Sequence, residues 1–302
     1  MTPHNKNLVF MVRPILFYSN PETAETNAFQ YPDQSSIATS NQAIYEFDNL
    51  VLKLRNAGIR VQVEQDYIER DTPDSIFPNN WVSFHDGIVN LYPMCSPNRR
   101  RERSQLFIEN IFRQNNDVIK YYRDFTFEER SGRFLEGTGS VVFDHVNAKA
   151  YACLSERTQQ DVLCNLCEAL GYEPVTFNAS DQKGKPIYHT NVMMSIGENF
   201  AVICCDSIDL SQRAHVVDQL IRDGKEVIEI TYEQMNQFCG NILQLASIGG
   251  GRVIAMSATA YNAFTQPQIF LLERHGYIVY SDISTIERNG GGSVRCMICE
   301  VD

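Results

Sequence analysis

The chain has 302 residues, 43% hydrophobic and 21% charged, the composition of a folded globular protein. A formal net charge of −11 excludes a general nucleic-acid surface, which needs clustered Lys and Arg. No run approaches the ~20 apolar residues that a membrane-spanning helix needs, and the polar stretch Met1 to Leu8 lacks the apolar segment of a secretory signal. The nine cysteines, an odd number spread through apparent core segments, read as reduced thiols, so a cytoplasmic setting is expected.

Taken in chain order, period-2 apolar alternation and turn residues predict a strand at Leu8 to Val12, then a helix from Asn41 to Asn56. Gly58 and a strand at Arg60 to Glu64 follow. The segment between, residues 17–41, is rich in Asn, Thr, Ser, Gln and Pro and reads as a lid loop. A second stretch opens at Asn79-Asn80-Trp81, turns at His85-Asp86-Gly87, returns over Ile88 to Leu91, and continues as helix Arg101 to Gln114 and strand Asp117 to Tyr121. The basic cluster Arg99-Arg100-Arg101 with Arg103 follows Pro93 and Pro97 and reads as a solvated loop or helix start, not an anion site.

The same pattern then recurs. Strand Gly137 to Phe143 is followed by strand Ala148 to Leu154, helix Gln159 to Leu170, Gly171 and strand Glu173 to Phe177. Strand His189 to Ile196 is followed by strand Phe200 to Cys205, helix Gln212 to Arg222 and strand Glu226 to Ile230. Strand Asn241 to Ser247 precedes strand Arg252 to Met256, a helix around Gln266 to Arg274 and strand Tyr277 to Ser281, and Ser293 to Val301 ends the series. These are five ββαβ units of about 50–60 residues, one split between the two chain ends. Splitting a unit closes a ring and removes free sheet edges. The expectation is one α/β domain over residues 1–302, a five-bladed αβ propeller.

In such a ring the unit starts converge on the axis, bringing together Asn79, Asn80, Glu136, His189, Asn191, Asn241 and Cys296. Cys296, directly after the run Gly290-Gly291-Gly292, supplies a nucleophile, His189 a general acid/base and Glu136 an orienting carboxylate. Asn27 and Gln30 on the loop are candidate substrate contacts. Cys164 and Cys167 have metal-ligand spacing but no second pair, so core packing is expected there.

Glu136-Gly-Thr-Gly, Ser155-Glu-Arg157-Thr, His189-Thr-Asn191 and Gly290-Gly-Gly-Ser-Val-Arg-Cys296 together resemble the guanidino-group-modifying superfamily, whose fold is the pentein. Met11-Val-Arg-Pro14, Asn27-Ala-Phe-Gln30 and Phe77-Pro-Asn-Asn-Trp81 are most similar to its amidinotransferase-like, citrulline-utilisation hydrolase branch. The resemblance implies Cys296 as nucleophile, His189 as proton shuttle, Glu136 as substrate or histidine contact, and Arg157 as the grip on an amino-acid carboxylate.

Two departures bear on substrate. Deiminases of this superfamily carry aspartates where this chain has Asn80 and Asn191. Paired carboxylates suit a cationic guanidinium, whereas asparagine offers a donor and an acceptor without charge, which suits a ureido group. The expectation is therefore hydrolysis of citrulline through a covalent Cys296 intermediate, requiring no metal or organic cofactor. Its alternatives are an arginine deiminase, a dihydrolase, an amidinotransferase, and a ring that binds without catalysis. The expected partner is a small amino-acid substrate, and the oligomeric state is left open, a homodimer included.

Overall fold

Every sheet in the molecule repeats one topology, and the local sequence explains why. The structure, a computed structural model, describes residues 8–24, 26–27, 29–31, 37–115 and 118–301. The expectations for Met1 to Asn7, for Asp117, and for residues 25, 28 and 32–36 of the loop fall outside the described residues.

In chain order, β1 (Leu8–Arg13), α1 (Ile37–Asn56) and β2 (Arg60–Gln65) open the chain. Next come β3 (Val82–His85), β4 (Ile88–Leu91), α2 (Gln105–Gln114) and β5 (Tyr121–Asp124). The turn α3 (Gly137–Ser140) leads into β6 (Val142–Asp144), β7 (Lys149–Cys153), α4 (Gln160–Leu170) and β8 (Glu173–Phe177). The turn α5 (Thr190–Met193) leads into β9 (Met194–Ile196), β10 (Phe200–Ile203), α6 (Leu210–Arg222) and β11 (Glu226–Glu229). After α7 (Tyr232–Asn236) follow β12 (Leu243–Ala246), β13 (Arg252–Ser257), α8 (Ala258–Ala263), α9 (Gln266–Glu273) and β14 (Tyr277–Ser281). Then α10 (Ser284–Gly290), α11 (Val294–Met297) and β15 (Cys299–Val301) complete it.

These strands form five three-stranded sheets: β15-β1-β2, β3-β4-β5, β6-β7-β8, β9-β10-β11 and β12-β13-β14. In each, the first pair is antiparallel and the last pair parallel, the second strand lying in the middle. The parallel step needs a crossover, and a helix supplies it each time. The sheet β15-β1-β2 joins both ends of the chain, with Leu8 opposite Val301 and Phe10 opposite Cys299. First strands of different sheets pack against one another, β15 by β3, β6 by β9 and β9 by β12.

The crossover helices are held by one apolar stripe. In α1, Ala43, Phe47, Leu50, Val51 and Leu54 are buried at three- and four-residue spacings. Each fully buried Phe or Leu contributes about 1.5–3 kcal/mol relative to exposure. Phe10 meets Trp81 edge-on at 6.4 Å between ring centroids, packing the central strand of one sheet onto the start of the next.

The structure corrects the unit starts. Gly137, His189 and Cys296 were expected on strands. Instead, single helical turns stand there, α3, α5 and α11, each immediately before the short strand it feeds. Asn79 and Asn80 likewise lie on a 3-10 turn, Pro78–Asn80. At α3 the reason is local. Gly137 sits at φ +48°, and a Cβ there would meet the carbonyl oxygen of Asn79. Ser140 Oγ accepts the Glu136 N–H at 2.9 Å and donates to the Arg157 carbonyl at 2.8 Å, closing the turn. In the second unit the helix begins at Gln105 and not Arg101, after a 3-10 stretch Pro97–Glu102, and the closing strand is displaced to Tyr121–Asp124. Of the two spaced cysteines in α4, Cys167 packs in the core and Cys164 is exposed.

Candidate active site

The turns bring the polar residues of separate units to one buried place. Glu136 is the residue before α3 and His189 the residue before α5, and both are at least nine-tenths buried. His189 Nε2 donates to Glu136 Oε2 at 2.7 Å. Gly139 makes this approach sterically feasible, because a Cβ there would lie 2.7 Å from His189 Nδ1 and closer still to the Asn80 amide.

Cys296 is the third residue of α11, and its N–H donates to the Ser293 carbonyl at 3.0 Å. Its sulfur receives the Asn241 Nδ2 at 3.2 Å and the Asn191 Nδ2 at 3.5 Å. Asn241 also donates to the Asn191 backbone carbonyl at 2.8 Å, so its carboxamide is anchored to the Asn191 main chain beside the thiol. Asn80 Nδ2 faces the Glu136 carbonyl at 3.4 Å, while Asn80 Oδ1 accepts from Arg99 at 3.1 Å.

Arg99 is the clearest correction. Far from being solvated, it is 3% exposed and lies inside the site. Glu102 holds it bidentately at 2.8 and 3.0 Å, Asp74 lies 3.5 Å away and Glu136 3.8 Å away. A buried guanidinium persists only with such partners. Arg157, 2% exposed, sits 3.6 Å from Glu136, hydrogen-bonds Thr26 Oγ1 and stacks over the Tyr188 ring at 5.0 Å.

The charges set the protonation states. Burial alone would raise the Glu136 carboxyl, but the charge of Arg157, the His189 hydrogen bond and Arg99 outweigh it and hold it well below the usual carboxylate range. Burial drives His189 down to about 4 despite its bond to Glu136, so the imidazole is neutral at rest. Burial also raises the Cys296 thiol, against the hydrogen bonds that favour thiolate. The resting pair is thus a thiol and a neutral imidazole.

Cys296, His189, Asn80, Arg99, Arg157 and Asn27 line one cavity. Asn27 donates to the Gly290 carbonyl at 3.2 Å, tying the loop to the glycine run. Gln30 is turned elsewhere: it bonds Thr23 and the Asn20 carbonyl within the loop and does not line the cavity. Sequence reasoning missed Asp74, Arg99 and Tyr188 as members of the site. Asp74 lies six residues before Asn80, its Oδ1 is buried without a hydrogen-bond partner, and burial raises its carboxyl. The one available signal was spacing: Arg99 and Glu102 are an i, i+3 pair.

A family model for eukaryotic N,N-dimethylarginine dimethylhydrolases matches residues 13–302. The chain belongs to that family. With it, the chain is placed in the guanidino-group-modifying superfamily, among hydrolases that act on C–N bonds of guanidino compounds. No curated protein matches it significantly by sequence.

Among solved structures, the chain is similar to the N-terminal domain of ArgZ covalently bound to a reaction intermediate, with a TM-score of 0.75 at 15% identity over 98% of this chain and 97% of that one. ArgZ is described as an arginine dihydrolase from the ornithine–ammonia cycle in cyanobacteria. The chain is also similar to unliganded AgrE, with a TM-score of 0.75 at 14% identity, covering 98% of this chain and 39% of that longer one. A third similar structure is an adduct of a dimethylarginine dimethylaminohydrolase with S-methyl-L-thiocitrulline, with a TM-score of 0.67 at 14% identity over 97% and 98% of the two chains. These likenesses establish a fold shared with pentein proteins. Among the described residues no helix is long and apolar enough to cross a membrane.

Proposed function

We propose that this protein is a pentein of five units in a closed ring that hydrolyses the ureido group of citrulline, using Cys296 as nucleophile, His189 as acid/base and Glu136 as its orienting carboxylate. The observation that carries this is the shared cavity, lined by Cys296 and His189, with Glu136 hydrogen-bonded to the imidazole at 2.7 Å.

Substrate binding brings the thiol and the neutral imidazole into play together. The Cys296 proton passes to His189, whose cation is stabilised by ionised Glu136. The sulfur attacks the ureido carbon, and charge develops on its oxygen. His189 then protonates the leaving δ-nitrogen as the C–N bond breaks, releasing ornithine and leaving carbamoyl-cysteine. The neutral imidazole next takes a proton from water, which attacks the same carbon. The C–S bond breaks, His189 returns its proton to the sulfur, and carbamic acid decomposes to CO2 and ammonia.

Three carboxamides, Asn80, Asn191 and Asn241, surround this chemistry, and they match a neutral group bearing both C=O and N–H. Arg157, with a buried Nε lacking a hydrogen-bond partner, is assigned to the substrate carboxylate. The cavity has a volume of about 20 Å³, room for a single water, so its wall, which includes Thr23 and Asn27 of the loop, must move to admit an amino acid. A second reading, arginine as substrate, is favoured by one observation: the unpartnered Asp74 Oδ1 could receive a guanidinium N–H.

The test is to incubate the protein with citrulline, arginine, agmatine and methylated arginines and to assay ornithine, citrulline and ammonia. Ornithine formed from citrulline supports the proposal. Citrulline accumulating from arginine, with citrulline itself inert, overturns it. Full turnover by Cys296→Ser would remove every covalent version.

A further inference from the structure

A second cavity, larger than the first, lies on the other side of Asn191. It has a volume of about 370 Å³ and is walled by the first strands of three units, β6, β9 and β12, together with Arg295 and Glu300. Small-molecule sites begin near 300 Å³ and combine apolar walls with a few convergent polar groups. This one meets both conditions. Its sides are Val142, Ile196, Leu243 and Leu245.

The polar groups come in opposite-sign pairs at two depths. Inside, Arg295 and Glu300 are 3.4 Å apart, with side chains 10% and 14% exposed. At the mouth, Arg252 and Glu198 are 2.8 Å apart, 30% and 44% exposed. A single anion or a single cation would meet a like charge as well as an opposite one at either level. A molecule carrying both charges meets complementary groups at each. Ser195 also lines the cavity.

We propose that this cavity binds a small zwitterion, an α-amino acid with an apolar side chain. Its carboxylate and ammonium engage the Arg and Glu pairs, and the side chain lies against Leu243 and Leu245. The floor of the site is Asn191, which also donates to the Cys296 sulfur at 3.5 Å. An occupant therefore presses on the carboxamide that holds the reactive thiol.

The experiment is isothermal titration calorimetry of the intact protein with L-leucine and L-methionine, and with acetate and ethylammonium as singly charged controls. It reads binding and not turnover, so its outcome is independent of which substrate the enzyme hydrolyses. One of the two amino acids should bind with a millimolar or lower Kd, and the controls at least about tenfold more weakly. Arg252→Ala, at the mouth, and Ser195→Leu, which fills the interior, should each weaken binding by about tenfold. Circular dichroism verifies that both variants fold. The proposal fails if neither amino acid gives a heat at about 10 mM, if a control binds as tightly, or if the titration is unchanged in either folded variant.

Discussion

Replacing Gly139 by alanine adds one methyl group at the narrowest point of the site. That Cβ would stand 2.7 Å from His189 Nδ1, where ordinary contact begins near 3.4 Å, so the ring must withdraw by about 0.7 Å and Asn80 by more. Neither has room. His189 is fixed by its 2.7 Å bond to Glu136, and Glu136 is fully buried between Arg99 and Arg157. Overpacking of this kind costs about 1–3 kcal/mol of stability, which lowers Tm by several degrees in a chain of this size. The larger effect falls on catalysis, since a misplacement approaching 1 Å costs up to about 10²-fold in rate. We expect kcat on citrulline to fall by about 30- to 100-fold with KM changed much less. Gly249→Ala is the control: its Cβ meets nothing nearer than 4.0 Å, and both Tm and kcat should be unchanged. The assay is ornithine release alongside thermal unfolding. A folded Gly139→Ala enzyme within twofold of the parent kcat would refute the placement of His189 as the proton carrier.

Three further outcomes are expected. Because burial raises the Cys296 thiol, its alkylation by iodoacetamide in the free protein should be slow at neutral pH and still rising above about pH 9, beyond the ordinary thiol range; peptide mapping that finds a plateau below about pH 8 contradicts this. His189 has its folded value lowered from 6.5 to about 4, so the unfolded chain binds a proton that the native one does not, and stability is lost as pH falls between those values. The loss attributable to His189 is about 3 kcal/mol. The low Glu136 value adds a further loss as the pH falls below the unfolded carboxylate range; denaturant midpoints that stay flat from pH 6.5 to 4 would contradict the His189 shift. Asn80→Asp should raise the ratio of arginine to citrulline kcat/KM by about tenfold or more, the size of one charge-assisted hydrogen bond, and an unchanged ratio would reject the charge argument.

Much of the fold was legible because crossover helices and their closing strands carry long, strongly periodic signals. The segments at α4 with β8, α6 with β11 and α9 with β14 agree with period and glycine caps to within two residues. The unit starts were not legible. Gly-Thr-Gly-Ser before Val142 alternates as a strand would, and nothing in a period-2 pattern distinguishes it from one helical turn closed by Ser140. Cys296, His189 and Asn80 still come to one cavity, with Glu136 bonded to the imidazole, because the turns replace strand starts without moving them along the chain. Arg99 was misread for a different reason. Three consecutive arginines after a proline look solvated until Asp74, 25 residues upstream, and Glu102 are seen folded against one of them.

The helical turns also explain why the site can hold so many polar groups at such depth. A strand entering the centre would point alternate side chains to opposite faces, so neighbouring polar residues would part. A turn keeps them together and satisfies its own backbone locally, as in the bond from Val141 N–H to the Gly137 carbonyl and that from Cys296 N–H to the Ser293 carbonyl. The side chains are then free to serve one another: Asn241 holds Asn191, and both reach the sulfur. The buried guanidiniums of Arg99 and Arg157 are offset by three carboxyl groups, Glu102, Asp74 and Glu136, of which Asp74 and Glu102 are raised by burial. Of the carboxylates in the site, Glu136 is engaged by His189 and one oxygen of Asp74 by Asn20 and Arg99, which leaves Asp74 Oδ1 as the one carboxylate oxygen the arginine reading depends on. On the reading proposed above, the carboxamides beside the sulfur, Asn191 and Asn241, and not the presence of a cysteine alone, are what would favour a ureido group over its cationic analogues.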